Sequence, residues 1–159
     1  MQNIQKDWFL YLPEDADINL NIAPLNVSEA QWRKRLTDAE FRVLREKAIE
    51  WPSSGDLNEE EQMGVYVCAA CELPLFTSAM KFDSGTGWPS FFSHIPGHLG
   101  TQEDHSLLLP RTEYHCVRCE GHQGYVFEDG PAPTGERWHN NSVSLHFWPT
   151  DSKQRVARA

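Results

Sequence analysis

The four cysteines of the chain occur as two CxxC pairs, Cys68 with Cys71 and Cys116 with Cys119, and 44 residues separate the pairs. Two thiols separated by two residues can turn toward the same cation, and two such pairs complete a tetrahedron around Zn²⁺. A site with four cysteine ligands leaves no coordination position for water or substrate. We therefore predict one structural zinc ion per chain, which would leave the chain without a free thiol for chemistry.

Three other interpretations of the cysteines compete with zinc. A redox CxxC usually stands alone beside a βαβ pattern, which this sequence lacks. Four cysteines can also hold an iron–sulfur centre, although two symmetric CxxC pairs suit zinc better. Two disulfides would be unusual in a cytoplasmic protein. Zinc is the interpretation that the spacing favours.

A second group of chemically capable residues lies on two glycine-rich segments, 81–91 and 121–142. Taken alone, each histidine is more often a hydrogen-bonded structural residue, and a tryptophan is more often part of the core. Together, on loops that glycine allows to approach a site closely, they predict a pocket with an apolar wall and several polar groups. The candidates are Trp88, His122, Asp129, Arg137, His139 and Asn141.

Strands must position these segments. Period-two alternation predicts short strands over 65–67, 113–117, 124–127 and 143–147, separated by Gly and Pro clusters. If the last strand runs over 139–147, every second residue from His139 to Phe147 shares one face, polar at its start and apolar at its end. The pattern is typical of an antiparallel β domain preceded by helices.

The region before the strands predicts two short helices over 28–50, with a break near Thr37. Ser28 with Gln31 and Thr37 with Glu40 each form a capping-box pattern. Residues 1–27 look like an N-terminal arm, and we expect its apolar run, residues 8–12, to pack on the body. We expect the main domain over 28–149 and a C-terminal tail over 150–159.

The charge balance argues against nucleic-acid binding. The chain has 14 Lys plus Arg against 23 Asp plus Glu, a net charge of −9, and lacks the basic face that phosphates require. No stretch approaches the roughly 18 apolar residues of a membrane span. The N-terminus lacks the pattern of a signal peptide. We expect a cytoplasmic protein with no nucleic-acid or membrane partner.

Over residues 28–149 the sequence resembles the methionine-R-sulfoxide reductases of the B type, the MsrB or SelR family. The landmarks are the two CxxC pairs, segment 81–91, Asp129-Gly130-Pro131, Pro133-Thr134-Gly135 and residues 137–142. The resemblance implies a mainly β, β-tent-like fold of two antiparallel sheets with short N-terminal helices, and a structural zinc bound by the four cysteines.

The resemblance also implies a departure from the family's chemistry. The nucleophilic cysteine of the family falls at His139, its usual resolving cysteine at Thr86, and its second active-site histidine at Tyr125. The first histidine is retained as His122, and Trp88 matches the residue that contacts the substrate methyl group. Asp129, Arg137 and Asn141 also match site positions. A cycle through a sulfenic acid then has no carrier, so thiol-based reduction is expected to be absent or weak and thioredoxin is not expected as a partner.

Two classes of function follow. In the first, the pocket at Trp88, His122 and Asn141 binds a small molecule or peptide resembling methionine sulfoxide without reducing it, as a pseudoenzyme would. In the second, the pocket is an enzyme with altered chemistry, either through a second metal at His122 and His139 or through Tyr125 and His139 as an acid–base pair. A third alternative is residual peptide-methionine (R)-S-oxide reductase activity that uses an external thiol.

Overall fold

The computed structural model describes residues 2–14, 16–105 and 108–151. Helices occupy the N-terminal part of this chain: α1 (Gln2–Lys6), α2 (Glu29–Arg35) and α3 (Asp38–Glu46). Short 3-10 segments lie at Trp8–Tyr11, Ser78–Met80 and Ser142–Ser144. No helix among the described residues is both long and apolar enough to cross a membrane.

Both predicted capping boxes are confirmed. The Ser28 hydroxyl accepts a hydrogen bond from the Gln31 backbone N–H at 3.2 Å, and the Gln31 side chain accepts the Ser28 N–H at 3.0 Å. Thr37 and Glu40 make the same reciprocal pair at 3.2 and 2.9 Å. The chain therefore starts a second helix at Asp38 instead of continuing the first, which confirms the predicted break.

In the described part of the chain, nine strands follow the helices: β1 (Gly64–Cys68), β2 (Pro74–Thr77), β3 (Lys81–Phe82), β4 (Ser90–Phe91), β5 (Leu99–Asp104), β6 (Arg111–Cys116), β7 (His122–Phe127), β8 (Arg137–Asn140) and β9 (Leu145–Pro149). They form a three-stranded sheet in the order β2-β1-β9 and a six-stranded sheet in the order β3-β4-β8-β7-β6-β5. Every pairing is antiparallel. The predicted fold class, mainly β with two antiparallel sheets and short helices, is confirmed.

Aromatic side chains from both sheets fill the core. Phe76 of the three-stranded sheet stacks on Phe91 of the six-stranded sheet with ring centroids 3.9 Å apart. Tyr66 meets the same Phe91 edge-on at 5.0 Å, and Tyr114 meets Trp138 edge-on at 4.9 Å. These rings are buried, so the inner face of the larger sheet serves packing, and its other face is available for a site.

The structure does not contain the single strand over 139–147 on which the expected alternation depended, and the strand predicted over 143–147 lies at Leu145–Pro149. β8 ends at Asn140 in the larger sheet, the 3-10 segment follows, and β9 starts at Leu145 in the smaller sheet. The Asn140 side-chain amide donates to the Asn141 carbonyl at 2.9 Å and to the Ser144 hydroxyl at 3.3 Å. These local side-chain bonds compete with the strand ladder and turn the chain between sheets. The alternation from His139 therefore does not reach Phe147.

The N-terminal arm packs only in part. The Trp8 ring lies 5.7 Å from the His98 ring, whereas Phe9 and Leu10 are 55% and 63% exposed. Farther along, the Arg118 guanidinium donates to the backbone carbonyls of Asn19 and Asn21. The predicted tail 150–159 lies outside the described residues beyond Asp151.

The close pairing of β7 and β8 gives a test of the fold. A Cβ at Gly124 would lie 1.8 Å from the His139 carbonyl oxygen. Gly124→Ala is therefore expected to lower the free energy of unfolding by about 3 kcal/mol, because the two strands must separate to admit the methyl group. Chemical denaturation measures the loss. Thr101→Ala, on an exposed position of β5, is the control, and a Gly124→Ala protein as stable as that control would contradict the described pairing.

Candidate functional site

The four cysteines converge at one place. The Cys68 and Cys119 sulfurs are 3.5 Å apart, as are the Cys71 and Cys116 sulfurs, and all four lie within 4.8 Å of one another. Each CxxC turn closes by the same hydrogen bond, from Glu72 N–H to the Cys68 carbonyl and from Glu120 N–H to the Cys116 carbonyl, both at 2.8 Å. The predicted convergence of the cysteines is confirmed.

The geometry of this cluster fits a tetrahedral metal ion. Four sulfurs at about 2.3 Å from a central ion lie about 3.8 Å from each other, close to the 3.5 Å that separates the sulfurs of Cys68 and Cys119 and those of Cys71 and Cys116. The Gly121 N–H donates to the Cys119 sulfur at 3.3 Å and the Gln123 amide donates to the Cys68 sulfur at 3.4 Å. Donors aimed at sulfur stabilise thiolates, so the cluster could hold one metal ion in a closed four-ligand site.

The outer face of the larger sheet carries a separate polar site. Glu113 of β6 lies opposite Tyr125 of β7, and Tyr125 lies opposite His139 of β8. Residues directly opposite in antiparallel strands share a face. A register shift between Tyr114 and His115 pairs His115 with His122 and brings His122 to the same face. The bulge thus places both predicted histidines on the same face.

Glu113 organises this face. Its carboxylate is 1% exposed and contacts His122 Nδ1 at 2.9 Å and His115 Nδ1 at 3.2 Å. Burial alone would raise the pKa of Glu113, but the hydrogen bonds from His115 and His122 outweigh burial and lower the pKa to about 2. An ionised carboxylate holds a proton on Nδ1 of His122. In the neutral ring, Nε2 of His122 is then a hydrogen-bond acceptor.

His139 lies between aromatic rings. Its ring is 4.5 Å from the Trp88 ring and 6.5 Å from the Phe127 ring, and the residue is 8% exposed. Burial, and then the positive charge of Arg137, lower the pKa of His139 to about 4. The imidazole is therefore neutral at pH 7. Among the described residues, the buried Nε2 atoms of His139 and His122 have no hydrogen-bond partner, so both are available to a ligand.

Tyr125 is engaged away from His139. Its hydroxyl donates to the Asp104 carboxylate at 3.0 Å and accepts from Arg111 at 3.2 Å. The Arg111 guanidinium lies 3.9 Å from the centre of the Tyr125 ring. Burial, and then the hydrogen bond to Asp104, raise the pKa of Tyr125. The Tyr125 hydroxyl proton is therefore held in the hydrogen bond to Asp104, within a group formed by Tyr125, Asp104 and Arg111.

Asn141 holds the segment next to Trp88 through side-chain hydrogen bonds. Its side-chain oxygen accepts the Glu50 N–H at 3.1 Å, and its amide donates to the Gln123 carbonyl at 3.1 Å. The indole N–H of Trp88 donates to the Glu50 carbonyl at 2.9 Å. Asn141 therefore fixes the segment that in turn orients Trp88, while Arg137 and Asp129 form a bidentate pair at 2.9 and 3.2 Å nearer the surface.

With this geometry in place, the comparison with known proteins is decisive. A family model described as "SelR domain" matches residues 36–149. The chain belongs to the MsrB (SelR) family. It is 52% identical over 121 residues to the protein named peptide methionine sulfoxide reductase MsrB of Methanosarcina barkeri, which covers 76% of this chain and 85% of that relative.

Other members of the MsrB family match over similar lengths. The chain is 47% identical over 125 residues to the MsrB of Hahella chejuensis, covering 78% of the chain and 90% of the relative. It is 46% identical over 135 residues to methionine-R-sulfoxide reductase B2, mitochondrial, of Rattus norvegicus, covering 79% of the chain and 77% of the relative. The resemblance predicted from the motifs is thereby confirmed at the level of the family.

The structure divides the predicted site residues of this MsrB-family chain into three groups. Trp88 contacts His139 and His122 contacts Tyr125 on the outer face of the larger sheet, Asp129 and Arg137 pair with each other, and Asn141 holds the Glu50 segment. Sequence reasoning missed Glu113, Asp104, Arg111, Phe127 and Glu50. Strand alternation could have placed Glu113 on one face with His115, but its contact with His122 depends on a bulge that the sequence does not signal.

The neutral state of His139 gives a pH prediction. An unfolded histidine has a pKa near 6.5 and the folded one about 4. Stability from keeping this ring neutral is therefore complete above pH 6.5 and is lost as the pH falls toward 4. At pH 5 the loss is about 2 kcal/mol.

Denaturation of the natural protein and of His139→Gln at pH 7.5 and pH 5 measures this contribution. The natural protein should lose about 2 kcal/mol more than the variant between the two pH values. The pKa of His98 is also lowered by burial. Because both proteins contain His98, its contribution to the loss of stability cancels in the comparison. Equal losses in both proteins would show that His139 titrates as an exposed histidine.

Proposed function

We propose that this MsrB-family chain binds a methionine-sulfoxide-like group in the pocket at Trp88, His122 and His139, without reducing it by the thiol cycle of the family. One observation carries the proposal. All four cysteines of the chain lie in the cluster within 4.8 Å of one another, so no thiol is left for the pocket. A sulfenic-acid cycle requires a nucleophilic sulfur, and no other side-chain atom can take its role.

The pocket keeps features that suit such a ligand. Trp88 offers an indole face for a methyl group. The neutral imidazole of His139 can donate to a sulfoxide oxygen from Nε2 when the proton is on that nitrogen. Imidazole cannot form a sulfenic acid, so His139 supports binding and offers no route to thioredoxin-dependent turnover. The ligand would be a small molecule or peptide that carries the sulfoxide, in a cytoplasmic protein whose MsrB-like, zinc-containing domain spans residues 28–149.

For the cysteine cluster we propose a structural zinc ion. Zinc bound by Cys68, Cys71, Cys116 and Cys119 would crosslink the two sheets and would have no open position for a substrate. Among the described residues, these cysteines are the one set of three or more potential ligands close enough to hold an ion. This favours a single metal per chain over a second metal at His122 and His139.

Metal analysis tests the zinc proposal. The purified protein should contain about one zinc per chain. Removing it with a chelator should release four titratable thiols and lower the melting temperature, because the bound ion stabilises the folded state. Iron with a visible absorption band, or four freely titrating thiols in the untreated protein, would rule zinc out.

A reduction assay tests the missing thiol. With dithiothreitol and a methionine-R-sulfoxide peptide, the natural protein should give no turnover, while His139→Cys should gain measurable reduction because the thiol returns to the pocket. His139→Ser, of similar size without a thiol, is the matched control and should remain inactive. Robust turnover by the natural protein would defeat the proposal.

A further inference from the structure

One residue, Arg118, holds the N-terminal arm beside the cysteine cluster. Arg118 lies between the two cysteines of the second CxxC pair. Its guanidinium donates to the backbone carbonyls of Asn19 and Asn21, and its own carbonyl accepts the Leu25 N–H at 2.7 Å. Both the side chain and the backbone of Arg118 therefore hold the arm segment 19–25.

The same guanidinium joins the two CxxC turns. It donates to the carbonyl of Cys71 in the first turn, while Arg118 itself belongs to the second turn. Arg118 is 4% exposed, and the acceptors of these hydrogen bonds are backbone carbonyls, which carry no full negative charge. A buried cation with such partners is destabilising unless a counter-charge lies nearby. Four thiolates around a divalent ion carry a net negative charge, so an occupied cluster would stabilise Arg118 in this position.

The segment 19–25 is fixed at both ends and exposed between them. Ile18 packs on side chains of the three-stranded sheet, and Val27 packs on the main core. Between these two positions, apolar side chains are nearly half exposed: Leu20, Ile22 and Leu25. A segment with so little burial can open locally while both of its ends stay packed. Its docking therefore depends on the hydrogen bonds with Arg118.

The segment also forms turns of its own. The Asn19 side-chain oxygen accepts the Asn21 N–H at 2.9 Å, and the Asn21 side-chain oxygen accepts the Ala23 N–H at 2.9 Å. Such local side-chain bonds fix the backbone in a turn conformation. They hold the two carbonyls that Arg118 contacts in a fixed orientation.

Cys71 is the cysteine through which solvent reaches the cluster. Cys68, Cys116 and Cys119 are buried, whereas Cys71 is partly exposed. The Cys71 carbonyl accepts from the guanidinium that holds the arm segment. Detachment of the segment therefore loosens the first CxxC turn at its accessible sulfur.

We propose that the segment 19–25 is a strap that retains the metal ion of the cysteine cluster. While Arg118 holds the strap, the ion leaves slowly, and detachment of the strap speeds its release. Because Arg118 contacts both the strap and the cluster turns, an occupied cluster favours the docked strap and a docked strap favours the bound ion to the same degree. The inference rests on the proposed zinc ion and gives the N-terminal arm a role in retaining it.

Zinc transfer to a coloured chelator tests the strap. The zinc-loaded full chain is mixed with excess pyridylazoresorcinol, and the absorbance gives the rate of release. A paired variant, Asn19→Ala with Asn21→Ala, removes the turns of the strap at exposed positions and should release zinc about fivefold faster. Arg118→Ala removes the anchor and should release zinc about tenfold faster. Asn26→Ala, exposed on the same arm just beyond the strap, is the matched control and should release zinc at the natural rate.

Limited proteolysis of the zinc-loaded proteins reports on the strap itself. Thermolysin cuts before leucine and isoleucine, so its sites in the strap are Leu20, Ile22 and Leu25. The paired asparagine variant and Arg118→Ala should be cut within 19–25 about fivefold faster than the natural protein, because the strap detaches more often. The control should be cut at the natural rate. Fragment masses identify the cleaved bonds.

The outcomes separate the strap from the zinc proposal. If the variants are cut no faster within 19–25, or are cut faster but release zinc at the natural rate, the strap is refuted and the zinc site stands. If only Arg118→Ala releases zinc faster, the effect belongs to the CxxC turn and the strap is again refuted. If Arg118→Ala does not fold, the paired asparagine variant decides alone. If the natural protein neither contains nor takes up zinc, the zinc proposal fails and the strap fails with it.

Discussion

The convergence of four sulfurs is the constraint on which this fold depends. Cys68 ends β1 in the three-stranded sheet and Cys116 ends β6 in the six-stranded sheet, so the cluster joins the two sheets at one edge. The aromatic core joins them elsewhere through Phe76 and Phe91. A metal ion bound by the four sulfurs would fix the distances between them. β7 starts at His122, three residues after Cys119, so the cluster and the histidine face are joined by a short stretch of chain.

The polar face of the larger sheet depends on one buried carboxylate. Glu113 contacts two histidine rings at 3.2 Å or less, which offsets the cost of removing its charge from water. A buried carboxylate that lost these partners would be strongly destabilising. Glu113 and its two histidines make one side of this face polar. The neutral His139 lies against Trp88 and Phe127 on the apolar side.

Local signals predicted local structure well. The two capping boxes fixed the break between helices, because each box is complete within four residues. Each CxxC pair is equally local, whereas the meeting of the two pairs across 44 residues was predicted from the four ligands that a structural zinc requires. The error at 139–147 arose because Asn140 and Ser144 form side-chain bonds that end the strand, and alternation of apolar residues does not report such bonds. His122 contacts Glu113, and Trp88 donates to Glu50. Both contacts depend on how separate segments pair in the fold, so the spacing of residues in the sequence could not predict them.

One strand connects the sulfur cluster with the pocket. Gln123 of β7 donates to the Cys68 sulfur at 3.4 Å and accepts from the Asn140 amide at 3.2 Å. Its sequence neighbour is His122, and His139 pairs with Tyr125 two residues farther along β7. A shift of the sulfur therefore moves the frame of both histidines. Because one strand carries both contacts, a coupling free energy between a metal at the cluster and a ligand at the histidines would act equally in both directions, so each would tighten binding of the other by the same factor.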